Sequence, residues 1–114
     1  MADIRMKTIQ HEVQGRIYEL RCNFNVLADI EAEAGSMGDF LRMRTMKAVK
    51  IALAAMMNDY ADSMGWEERT SSKELGRVLP TDPGSIKMLC NMVMELVLDA
   101  IRAPAAADGE GEKN

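Results

Sequence analysis

The residues able to do chemistry fall into small groups, and none has the spacing that catalysis requires. Asp29, Glu31 and Glu33 lie in "DIEAEAG". On a helix that spacing fans them around the axis, so they make a solvated face rather than a facing acid and base. His11, the single histidine, stands beside Glu12 and is expected to be a surface imidazole. Ser36, Ser71 and Ser72 have no candidate base besides His11, and helix caps and turns account for them. Cys22 and Cys90 are far apart and fit no metal-ligand spacing. They are expected to be buried, reduced thiols. No Gly-rich phosphate loop, metal set or nucleophile elbow occurs. The expectation is a protein that is not an enzyme and needs no cofactor.

One basic cluster remains. "RMRTMKAVK" carries Arg42, Arg44, Lys47 and Lys50, enough charge to touch phosphate. No aromatic platform interleaves with it, and the chain's net charge is −4, opposite to that of a nonspecific nucleic-acid binder. Attraction to acidic protein surfaces, including Glu95 or Asp99 of another copy, suits the patch better. The alternatives are a small regulator that binds nucleic acid through residues 42–50, or a structural subunit of another complex.

These groups must be held by a single small fold, because 114 residues leave no room for a second domain. Hydrophobic residues make up 47% and aromatics only 4%, while eleven residues are methionine. A packed core is therefore expected, filled with pliable side chains in place of rings. No charged and apolar segment of secretory type opens the chain. Lys87, Asn91, Glu95 and Asp99 interrupt the most apolar stretch, so no membrane span is expected.

The fold class read from the pattern is mainly α, with a short N-terminal β-hairpin followed by four or five helices. Residues 1–103 form one domain, and 104–114 form a flexible acidic tail. The hairpin turns at Gln14-Gly15. Tyr18, Leu20 and Cys22 make its covered face, while Ile4 and Met6 fit the first strand and Ile9 falls out of step. Asn25 is expected to cap a helix ending at Gly35. A brief turn over 36–44 points Phe40 and Leu41 inward. A long helix runs from about 45 to 64 with a stripe of Met46, Val49, Leu53, Met56, Met57, Tyr60 and Met64. Ala48, Ala54 and Ala55 beside the stripe permit close approach. Gly65 stops it. Ser71 and Glu74 form a capping box for a short helix, and Asp82-Pro83 opens a final long helix over about 83–102.

That final helix, "IKMLCNMVMELVLDAIRA" over 86–103, poses the central question. Successive residues turn by about 100°, which gathers Lys87, Asn91, Glu95, Asp99 and Arg102 on an arc of roughly 120°. Everything else is apolar, with Met92 and Met94 at the arc's edges and Met88 and Leu98 inside it. Each buried Leu or Met contributes roughly 1.5–3 kcal/mol, so this surface calls for cover. Either the other helices wrap it as the central helix, or a second copy or partner protein meets one flank. Met88, Met92, Met94 and Leu98 are the candidate partner-binding residues.

The order of elements is itself informative. "GRIYELRCN" leads into "FNVLADIEAEAGSMGDFL", followed by an alanine- and methionine-rich helix, the short "SSKELGRVLP" helix and an apolar final helix. Over Arg16 to Arg102 this pattern resembles the tail assembly chaperones of long-tailed bacteriophages. The resemblance implies a small, mostly helical, noncatalytic protein of the host cell cytoplasm. It would coat the tape measure protein, keep it soluble and help recruit tail tube subunits. It also implies self-association as a homo-oligomer, and in many members a longer product made by programmed frameshift. The family carries no invariant active-site residues to transfer. The ending Glu112-Lys113-Asn114 permits the nucleotides A AAA AAC, a run on which ribosomes slip back by one.

Overall fold

The computed structural model describes residues 6–109. Within them two strands, β1 (Thr8–Val13) and β2 (Arg16–Arg21), precede five helices. These are α1 (Phe24–Ala34), α2 (Met37–Arg42), α3 (Thr45–Ser63), α4 (Ser72–Val78) and α5 (Pro83–Gly109). The expected class, a short hairpin followed by a helical domain, is the one observed.

The hairpin follows from its turn. Gln14 and Gly15 both have positive φ, 52° and 80°, the pair of angles that a two-residue turn needs to match the twist of antiparallel strands. Glycine reaches that region without strain. The turn pairs Val13 with Arg16, His11 with Tyr18 and Ile9 with Leu20. Leu20 is fully enclosed, so its partner Ile9 must face the same way, and the inner side of β1 is Ile9, His11 and Val13. This corrects the expected strand: Ile9 is in step, whereas Met6 precedes β1 and is exposed. Ile4 lies outside the described residues.

Local capping places the helices. Asn23, not Asn25, caps α1. Its side-chain oxygen accepts from the Val26 N–H at 2.9 Å, and its amide donates to Asp59 on α3 at 2.8 Å. The cap thus sits one turn-entry earlier, and Phe24 becomes the first helical residue, exposed to solvent. Gly35 ends α1 with φ at 107°. Ser36 caps α2 through the Asp39 N–H at 2.9 Å. On α2 Phe40 is buried as expected, but its neighbour Leu41 is exposed, because consecutive helical residues point about 100° apart. The Ser71–Glu74 capping box forms in both directions, at 3.0 and 3.1 Å. Asp82 accepts from the Ser85 N–H at 3.0 Å, which opens α5 with Pro83 at its first position. The helix continues past its expected end near Arg102 through Ala105–Ala107, the best helix formers. Residues 110–114 of the acidic tail lie outside the described residues.

α3 is the centre of the molecule, and this corrects the alternative that made the final helix central. Ala48, Val49, every residue from Ile51 to Met57, and Ala61 are buried. A helix apolar all round is a buried helix, and β2, α1, α4 and α5 all pack on this one. Its alanines let those neighbours come close. The two ends of the expected stripe, Met46 and Met64, emerge into solvent. At the far end of α3, Tyr18 of β2, Tyr60 of α3 and Trp66 of the following loop form a mutual edge-to-face triad with centroids 5.5–6.0 Å apart. The Arg16 guanidinium caps the Trp66 ring at 4.4 Å. Each such aromatic pair adds about 0.5–1.5 kcal/mol, so the triad ties hairpin, helix and loop together.

Candidate partner-binding cleft

α5 hides most of its apolar surface against α3. Leu89, Val93, Leu96 and Val97 are in the core. The four residues expected to meet a partner separate into different environments. Met92 is only 8% exposed and belongs to the core. Met94 and Leu98 are half-buried, and Met88 is 49% exposed. The expected common surface is therefore not assembled: Met92 is in the core, and of the four only Met88 stands well out in solvent.

The basic cluster is redistributed as well. Arg42 pairs with Asp39 one turn away at 3.0 Å. Arg44 is the N-cap of α3, exposed, and makes no side-chain capping bond. Lys47 and Lys50, in contrast, join a cleft of about 570 Å³ between the start of α3, α4 and the start of α5. Val49, Leu79, Pro80, Ile86 and Leu89 supply its apolar walls, with Met46 at the edge. Lys73 and Arg77 of α4 line the same cleft. Among the described residues the lining contains four cations and no carboxylate. Among the described residues none of the four is in an ion pair.

Gly76 is part of this construction. A Cβ at that position would stand 2.8 Å from the Lys50 Cδ, closer than side chains tolerate. The Lys50 side chain lies against α4 at this glycine. A glycine inside a helix costs about 1 kcal/mol relative to alanine, and here the cost goes with the close crossing. Lys73 and Arg77 are one turn apart and so share a face of α4, a spacing visible in the sequence. What the sequence hides is that they line the same cleft as Lys47 and Lys50.

The other polar groups occupy structural places. His11 sits on the inner side of β1 and is half-buried, not a surface imidazole. Burial holds its pKa below the ordinary value, and the nearby Glu12 carboxylate partly offsets this. Cys22 is in the core, where burial, reinforced by Asp59, pushes its thiol pKa up to about 11; Cys90 is half-buried. Asp29 and Glu33 lie on the α1 surface beside the start of α4, where Glu33 accepts from the Ser72 hydroxyl at 2.5 Å. Among the described residues no three His, Cys, Asp or Glu side chains converge as a metal set. No helix among them is long and apolar enough to cross a membrane.

A cleft with apolar walls and unneutralised cations at its rim can hold a segment of another molecule by burial and charge together. No protein-family model, curated protein or solved structure matches the chain.

Proposed function

We propose that the protein is a noncatalytic tail assembly chaperone of a long-tailed bacteriophage, acting in the host cell cytoplasm. On this reading it binds the tape measure protein, keeps that long apolar helical chain soluble and helps recruit tail tube subunits. The observation that carries the reading is the open cleft between α3, α4 and α5, with exposed Met46 at its edge and exposed Met88 on the adjoining turn of α5. Methionine repacks around varied shapes, which suits a client whose helical surface changes along its length. The element order over Arg16 to Arg102 that resembles the family, a strand, a capped helix, an alanine-rich helix, a capping-box helix and an apolar helix, supports this reading.

Co-expression tests it. A tape measure candidate encoded beside this gene should be insoluble alone and soluble with the chaperone, and Met46→Glu with Met88→Glu should reverse that effect. A client equally insoluble with and without the protein would overturn the proposal. A steeply salt-dependent shift of DNA mobility would favour the nucleic-acid-binding regulator instead.

A further inference from the structure

The charge at the cleft is more specific than apolar docking alone needs. We infer that the cleft selects an acidic amphipathic helical segment of a partner protein, whose apolar side chains enter between α3 and α5 while flanking carboxylates meet Lys47, Lys50, Lys73 and Arg77. The inference rests on reading this cleft as a protein-docking surface, but not on which protein is the client.

Charge complementarity commits the occupant. Four cations converge on the cleft from two helices, and among the described residues no acidic side chain lines it, in a chain whose net charge is −4. Two other clefts differ: one is lined by Asp29 and Glu33 with no cation, and one mixes Glu68 and Glu74 with Arg16 and Arg69. The segregation is local and runs against the overall charge, so a random scatter of surface lysines does not describe it. The Lys50 side chain lies against α4 at Gly76, which brings its charge beside Lys73 and Arg77. The walls decide between anionic ligands. A single-stranded nucleic acid would want aromatic platforms, yet among the described residues no aromatic lines the cleft, and the triad of Tyr18, Tyr60 and Trp66 is assembled elsewhere. A bare phosphate would want polar walls, and these are Val49, Leu79, Ile86 and Leu89. The volume lies within the range of roughly 300–1,000 Å³ that concave sites occupy, and an apolar helix face flanked by charge fits such a groove.

The test uses the full chain and three labelled synthetic amphipathic helices with one leucine stripe, flanked by glutamate, glutamine or lysine. Fluorescence anisotropy should rank glutamate first, on the order of tenfold tighter than glutamine, with lysine not binding. The glutamate advantage should shrink as salt rises. Lys47→Glu with Lys73→Glu, both at exposed positions, should reverse the ranking without lowering the melting temperature. Equal binding of all three peptides would overturn the charge selection while leaving the docking surface in place. Absence of binding, with a co-expressed client still solubilised, would also overturn it and put the client contact elsewhere. Displacement of the glutamate peptide by single-stranded DNA would replace the protein partner with nucleic acid. Concentration-dependent dimers of the protein alone, dissolved by that peptide, would make the occupant a second copy and refute a distinct partner.

Discussion

The cover of α5 can be tested with two methionines four residues apart. Met92 is 8% exposed and Met88 49%, although both have the same chemistry on the same helix. Truncating an enclosed methionine to alanine removes its transfer energy and leaves a cavity in the core, a loss of about 2–5 kcal/mol. Truncating Met88, half in water already, forgoes about 1 kcal/mol or less. In a domain of this size each kcal/mol moves the melting temperature by roughly 4–8 °C. Met92→Ala should therefore melt on the order of 10–30 °C below the parent, and Met88→Ala within a few degrees of it. Far-ultraviolet circular dichroism and Trp66 emission should report the same transition. If Met92→Ala melts with the parent, or Met88→Ala falls as far, the division of α5 into a packed and an open flank is wrong. The same geometry makes Met88→Glu a clean probe of partner binding. Met92→Glu is not one, because it would bury a carboxylate in the core.

Three further outcomes follow from named contacts. Asn23→Ala removes the α1 cap and the bond to Asp59 together, and should cost about 1–2 kcal/mol in urea unfolding; Asn25→Ala should cost little. Under native conditions a thiol reagent should modify Cys90 and spare Cys22, which is enclosed in the core and whose thiol pKa burial pushes up to about 11; both should react in denaturant. His11 titrates lower when folded than unfolded, so the unfolded chain binds the extra proton. Its contribution to stability is whole above the ordinary histidine pKa and declines as pH falls through it toward the lower folded value. His11→Asn should flatten that slope.

Features written in a few adjacent residues were legible in the sequence. The positive-φ turn at Gln14-Gly15, the Ser71–Glu74 box and the Asp82-Pro83 start each depend on neighbours within about one turn, and each is found where expected. The misassigned cap shows the limit: Asn23 and Asn25 are chemically equal candidates, and Asp59, far away in sequence, holds the first. Which helix is central was not legible for a similar reason. The alanines of α3 look neutral in a pattern of large apolar residues, yet Ala48, Ala52, Ala54 and Ala55 are all buried, and their smallness brings the neighbours in. Met92 was read as an edge residue because the polar arc of α5 was visible and the position of α3 was not. The candidate cleft was half legible. Lys47 and Lys50 stood out as a cluster, whereas Lys73 and Arg77 joined them only through the packing of α4.

The burial of α3 on all sides also bears on the order in which the chain can fold as it leaves the ribosome. The hairpin and α1 are synthesised first, but the surface they rest on does not exist until residues 45–63 have followed. α3 in turn has a bare flank until the middle of α5 emerges. Vectorial synthesis thus offers no early resting point: the amino-terminal pieces wait, with oily sides uncovered, and closure comes in one late step when Leu89 to Val97 reach their seat.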